Sequence, residues 1–313
     1  MHHLFLGISP ASLVHAPYTP AVSERLVLNA GDYGLAVQER AELIMLSDIA
    51  GYVGADTCGC LLAIRQDQQE EISLMIDIGT NGEMVLGNRE RMVTCSTAAG
   101  PAFEGAKIEC GMRGAAGAVD HVKYEDGKWN YTTVGNKPAV GLCGSGLIDL
   151  VAGLLDAGML DENGVLRSGQ EKQGVFILVP PERGGNERGV YLTQKDLGEV
   201  QLAKAAIAAG IQMLMERIGI TEDDICSVYI AGAFGNYMDP VSAGKIGLFP
   251  ATLVKKVKPV GNAAGEGAKI ALVNEKEMLE MDELVRKIEF VELAASADFQ
   301  DHFIDELGFE TGE

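Results

Sequence analysis

Positive charge is scarce in this chain. Lysine and arginine number 25 against 45 aspartates and glutamates, a net charge of −20. Such a surface repels phosphate backbones and anionic lipid, so neither nucleic acid nor membrane is an expected partner. Aromatic residues make up 6%, with a single tryptophan, which leaves few platforms for stacked bases. No apolar run reaches the roughly 18 residues of a spanning helix. The opening Met1-His2-His3-Leu4-Phe5-Leu6-Gly7-Ile8 has neither the basic region nor the length of a secretion signal, so a cytoplasmic protein is expected. The six cysteines (Cys58, Cys60, Cys95, Cys110, Cys143, Cys226) contain no Cys-x-x-Cys pair, and no two of the five histidines stand three or four apart. Neither set has the spacing of a zinc or iron–sulfur site. Reduced, mostly buried thiols are expected. The two commonest phosphate loops are missing as well. Lys269 follows Gly267 with no glycine placed to complete a P-loop, and Asp149 stands where a third glycine would have to follow Gly144-x-Gly146.

What the chain has in excess is glycine. There are 39 in 313 residues, about 12% against a usual ~7%, clustered in short turns where backbone must approach something closely. Apolar residues reach 47%, enough for a substantial core. At about 150 residues per domain, the length admits two domains or one two-lobed domain. The acidic turn at Gln66–Glu71 is the best boundary. Before it, Ser47–Ile64 reads as helix, with Gly51, Gly54, Ala55 and Gly59 along one side. After it, Ile72–Ile78, Glu83–Leu86 and Met92–Ser96 read as a β-meander. Gly100–Cys110 reads as a turn into a short helix. Behind Gly144-Ser145-Gly146, the residues Leu147, Ile148, Val151, Leu154 and Leu155 form a helical stripe, with Ser145 as its expected N-cap. The polar stretch Asp161–Gly189 is expected on the surface. Thr193 and Asp196 form a capping box opening a helix to about Ile218. A short helix follows from Thr221, then a strand at Ser227–Ala231 that runs into the turn Gly232–Asn236. Gly261–Gly267 opens a helix to about Val273, and the tail gives a strand at Ile288–Leu293 and a helix near Ala297–Leu307. The mixture argues for a layered α/β fold.

Four glycine turns follow a strand or precede a helix: 79–82, 144–146, 232–235 and 261–267. The first is the most informative. Asp77 closes a strand and Gly79-Thr80-Asn81-Gly82 follows it. A carboxylate beside backbone N–H groups suits a hydrated Mg²⁺ bridged to phosphate; an Asx cap of the turn is the plainer alternative. At 144–146, anion binding at a helix start competes with simple tight packing. Glu83 is a catalytic candidate but is expected to face solvent on the hairpin, while Glu104 and Arg113 lie in the neighbouring glycine-rich stretch as candidates to line the cleft or to form structural ion pairs.

The order of these parts resembles the second lobe of the actin-like, sugar-kinase-like ATPases, the ASKHA superfamily. The resemblance implies a ribonuclease H-like α/β lobe, a mixed sheet flanked by helices, with the first lobe incomplete. It assigns Asp77, Gly79, Thr80, Asn81 and Gly82 to the second phosphate loop and Gly232, Ala233, Phe234 and Gly235 to the turn against adenosine; Asn236, next to that turn, and Gly144, Ser145 and Gly146, at their helix start, are further nucleotide-binding candidates. Closer still, Ile76–Glu83, Ser96–Ala106, Cys143–Asp149 and Ala231–Tyr237 resemble the C-terminal part of the reductive activators of corrinoid proteins, over nearly the whole chain. That family implies ATP and Mg²⁺ as ligands, with Asp77 holding the metal through water. It also implies a two-iron two-sulfur cluster in a ferredoxin-like domain that is absent here, a corrinoid iron–sulfur protein as partner, and a homodimer. Its activity is ATP-assisted reduction of a Co(II) corrinoid to Co(I). On this reading residues 1–68 are the remainder of the first lobe with its connecting helix, and 69–313 are the second lobe. The first phosphate loop would lie upstream of Met1, so the chain is expected to be a fragment or half of a split system. Two other readings compete: a small-molecule kinase of the same fold, and a non-catalytic dimerisation or docking lobe using 161–189. A corrinoid carrier is not expected, since Asp120-His121 lacks the Asp-x-His-x-x-Gly spacing.

Overall fold

The computed structural model describes residues 2–15, 18–167, 174–294 and 296–309. A single turn, α1 (His2–Phe5), and an antiparallel pair, β1 (Leu26–Asn29) and β2 (Glu42–Met45), precede the first long helix, α2 (Ala55–Ile64). That helix is shorter than the sequence pattern predicts. Gly51 is held so close to the Tyr18 carbonyl that a Cβ would sit 1.9 Å from its oxygen, and Ala50 bridges Val53. Helix therefore starts only after Gly54, where Asp48 accepts the Ala55 amide from outside (3.0 Å).

The central sheet begins with β3 (Ser73–Ile78), β4 (Gly82–Gly87) and β5 (Met92–Thr97), the expected antiparallel meander. A hairpin, β6 (Ala118–Glu125) and β7 (Lys128–Thr133), then forms a separate small sheet with β8 (Gly141–Leu142). The pattern reading missed this hairpin. Its signal was Asp126-Gly127, both at positive φ (52° and 76°), the chemistry of a two-residue hairpin turn. Helix α3 (Gly144–Asp156) packs against β6, and the pair β9 (Val175–Val179) and β10 (Val190–Thr193) leads into α4 (Gln194–Ile218). The Thr193–Asp196 capping box is present at the start of α4. The remaining elements are β11 (Ser227–Ala231), α5 (Gly232–Gly235), α6 (Pro240–Lys245), β12 (Val257–Gly261), α7 (Ala263–Val273), α8 (Glu275–Val285), β13 (Ile288–Phe290) and α9 (Ala297–Asp305).

The six-stranded sheet runs β12-β11-β3-β4-β5-β13, with β11 parallel to both β3 and β12, and β13 parallel to β5. Strand alternation sends Leu74, Ile76, Met84, Leu86 and Cys95 into one core with side chains of α3 and α4. Met75, Val85, Met92 and Ala231 face the other way, against Cys60 and Leu61 of α2, Ala271 of α7 and Met278 and Met281 of α8. The result is a sheet between two helical layers.

Several local expectations are corrected. Cys143, not Ser145, is the N-cap of α3, and Ser145 is buried in its first turn. Residues 100–110 form irregular turns, because Gly100, Gly105 and Lys107 all take left-handed φ. The turn at 232–235 is one turn of helix, and the short element after Thr221 is 3-10. The 161–189 stretch is not wholly superficial: β9 buries Phe176, Leu178 and Val179. Residues 168–173 of that expected docking surface lie outside the described residues. α8 was unseen because its acidic surface outweighs the Met278, Met281 and Leu284 it buries. Among the described residues no helix is long and apolar enough to cross a membrane. The four cysteines at 58, 60, 95 and 143 are buried and unpaired.

Candidate functional site

The parallel pairing of β3 and β11 puts Asp77 directly opposite Ala231. The next residue, Gly232, takes φ +89°, and a Cβ built on it would lie 3.0 Å from Asp77 Oδ1 and 3.2 Å from the Ile78 carbonyl oxygen. Both features demand glycine. The Asp77 loop and the Gly232 turn, 155 residues apart in the chain, thus meet at the ends of neighbouring strands. Asn236 extends the junction: a Cβ on Gly261 would lie 2.9 Å from its Nδ2. Asn262 accepts the Gly265 amide and caps α7. Three of the four expected glycine turns therefore adjoin one another.

Glu83 belongs to this site and does not face solvent as expected. It is the cross-strand partner of Asp77 on β4, so both side chains rise from the same face of the sheet. That face is the one covered by α2, whose Asp56 adds a third carboxylate. Burial pushes the Asp77 carboxyl up, and Asp56 adds to the effect. Burial, then Asp56, then Asp77 raise Glu83 to about 7, against hydrogen bonds from Ser96 (3.3 Å) and Asn81. The thiol of Cys60, also on α2, donates to Asp77 Oδ2 at 3.7 Å.

Within the loop, Gly79 N–H reaches the Asn81 carbonyl (2.9 Å), and the exposed Thr80 hydroxyl donates to Glu104 (2.8 Å). Gly82 has a packing reason to be glycine, since a Cβ would lie 3.1 Å from Ile207 of α4. Arg113 is exposed, and no described contact joins it to the loop. Ala233 and Phe234 contribute backbone to α5; their side chains lie outside the described features. Gly144, Ser145 and Gly146 stand apart in their contacts. A Cβ on Gly146 would meet the Val119 carbonyl oxygen of β6 at 2.2 Å, and Ser145 is buried beside the Cys143 sulfur (3.5 Å). These contacts tie α3 to β6.

The donors gathered at Asp77 are hard oxygens, the set that suits Mg²⁺. Among the described residues no three His, Cys, Asp or Glu side chains approach closely enough to hold an ion alone.

Comparison with known proteins agrees with this architecture. The model of the C-terminal domain of RACo, the ASKHA domain, matches residues 71–313, and the model of the RACo middle region matches 1–69. The corrinoid activation enzyme RamQ of Eubacterium limosum is 35% identical over 319 residues, covering 97% of this chain and 54% of that protein. The Co(II) methylated amine-specific corrinoid protein reductase of Methanosarcina barkeri is 29% identical, covering 89% of this chain and 54% of that protein. A solved reductive activator for corrinoid, iron-sulfur protein superposes with a TM-score of 0.91 at 38% identity, over 99% of this chain and 51% of that one. The chain spans about half the length of these relatives.

Proposed function

The chain belongs to the RACo family, spanning its middle region and its ASKHA domain, and from this we infer that it is the ATP-binding part of a reductive activator that helps bring Co(II) corrinoid proteins to Co(I). Residues 69–313 serve as the nucleotide lobe; residues 1–68 supply the remainder of the first lobe and its connecting helix. Asp77 positions a hydrated Mg²⁺ or the attacking water. Thr80, Asn81 and Gly82 offer donors to phosphate, and Gly232, Ala233, Phe234, Gly235 and Asn236 form the wall for the nucleoside. Gly144, Ser145 and Gly146 are assigned a supporting role at the phosphates, through the free N–H groups of α3. When bound, Mg²⁺ supplies charge neutralisation for phosphoryl transfer to water. Electrons come from an iron–sulfur domain and are delivered to a corrinoid protein, with two activator copies forming the working unit in the cytoplasm.

One observation carries this reading: Asp77 Oδ1 lies against Gly232, so the carboxylate loop and the later glycine turn share one junction. A kinase of small molecules would need a second carboxylate placed for a hydroxyl substrate, and Glu83 faces the thiol-and-carboxylate side of the sheet under α2 instead. The test is thermal unfolding with MgATP. Binding at a hundredfold over Kd stabilises by about 2.7 kcal/mol, so the melting temperature rises in the wild type and not in Asp77→Ala. ATP turnover then rises on adding a Co(II) corrinoid protein. An unmoved melting temperature, with self-association retained, overturns the reading in favour of a docking lobe.

A further inference from the structure

Asp77 has two oxygens in two different environments. Oδ1 lies against Gly232, at the turn assigned to nucleotide. Oδ2 accepts from the Cys60 thiol, and among the described residues this is the one hydrogen bond its carboxylate receives. Cys60 does not arrive there by accident of a loose surface. It is fully buried on α2, and α2 is fixed in place by backbone contact with α7. A Cβ on Gly267 would lie 1.9 Å from the Gly59 carbonyl oxygen, and one on Gly59 would lie 2.8 Å from that of Ala264. The residue next to Cys60 is therefore the point at which the two helices touch. The close approach of α2 and α7 thus falls at the same level of the helix as the thiol.

We propose that Cys60 is a positioning residue for the nucleotide site: its thiol holds Oδ2 of Asp77 so that Oδ1 is presented at the Gly232 turn. This deepens the nucleotide reading and rests on it. An unsupported carboxylate beside Asp56 would turn away from like charge, and the contact from Cys60 opposes that. It follows that the family's middle region, which contributes α2, reaches the metal-binding carboxylate directly. Any displacement of α2 is felt first at Oδ2.

The experiment uses the full chain, its Cys60→Ala and Cys60→Ser variants, and Asp77→Ala. MgATP affinity is read by calorimetry, and the S–H stretch of Cys60 is read by infrared difference between wild type and Cys60→Ala. The expected result is a loss of about tenfold in MgATP affinity in Cys60→Ala, the usual scale for a group that orients a metal-binding carboxylate. Cys60→Ser, which keeps a donor, recovers most of it. The S–H band moves to higher frequency in Asp77→Ala, as a released thiol requires. If Cys60→Ala binds MgATP like the wild type while Asp77→Ala does not, the positioning role is overturned and the nucleotide reading stands. If the wild type itself fails to bind, the nucleotide reading falls and takes the positioning role with it. If Cys60→Ala does not fold, an S–H band unmoved by Asp77→Ala, or a Cys60→Ser variant as weak as Asp77→Ala, overturns the proposal.

Discussion

Glu83 keeps its proton into the neutral range because α2 buries it beside two other carboxylates. Its sign in stability follows. The folded form favours the protonated acid, so stability is fully present below the ordinary value of 4.5 and is lost as pH rises through about 7. Glu83→Gln removes that loss. The variant should gain on the wild type between pH 5 and 8, by up to about 3 kcal/mol for a shift of this size, and match it more nearly at pH 5. Urea midpoints at the two pH values check this; a pH-independent difference would place the titration elsewhere. Asp77 was legible from its strand end and glycine loop. Glu83 was not, because facing is decided by what covers a hairpin, and the cover comes from residues 55–64, across a chain boundary the pattern treated as a divide. Gly232 was legible as a turn, but its reason for being glycine, the Asp77 oxygen 3.0 Å from a Cβ, depends on strand order.

At the scale of elements, the crossing of α2 and α7 shows what a small-residue pattern conveys. Gly59 is one of the small residues along one side of the expected helix, a pattern that permits a close neighbour. The neighbour is α7, touched through Gly267. In open helix an alanine in place of glycine would add about 1 kcal/mol of propensity. Here overlap prevails. A Cβ at 267 would stand 1.9 Å from backbone oxygen, and one at 59 would stand 2.8 Å away. Gly267→Ala should therefore cost about 3 kcal/mol or more, and Gly59→Ala distinctly less, by denaturant midpoint. The reverse order would mean that α7 yields more easily than α2. The same comparison bears on ligand: Gly267→Ala also moves α2 from Asp77, so MgATP affinity should fall further than stability alone explains.

Across the whole molecule, the meander, the capping box of α4, the strand at 227–231 and the helices α7 and α9 were readable because each carries a local pattern. The pairing of β11 with β3 was not, since 154 residues separate Ser227 from its partner Ser73, and the α3–β6 packing was hidden behind a hairpin whose second strand, β7, is exposed along most of its length. The C-terminal closure was equally hidden, because its centre is a lysine in a helix face that otherwise reads as apolar. Lys204 on α4 is 2% exposed. Its ammonium donates to the Gly308 carbonyl, lies 4.0 Å from Glu306 and stands over the Phe309 ring at 5.6 Å. Gly247 leaves room for it, with a Cβ there falling 3.1 Å from Nζ. A buried charge persists only where such partners repay its desolvation. Lys204→Met keeps the stem and removes the ammonium, leaving the Gly308 carbonyl unmet and Phe309 without its cation. The cost should be about 2 kcal/mol, and it should fall locally. Limited proteolysis should release the segment from α9 onward while the sheet and the Asp77–Gly232 junction stay intact, so MgATP stabilisation, measured as the shift in melting temperature, should match that of the wild type. Loss of that shift in Lys204→Met would show that the tail closure and the nucleotide junction form a single cooperative unit, and that the C-terminal helix is part of the site's support.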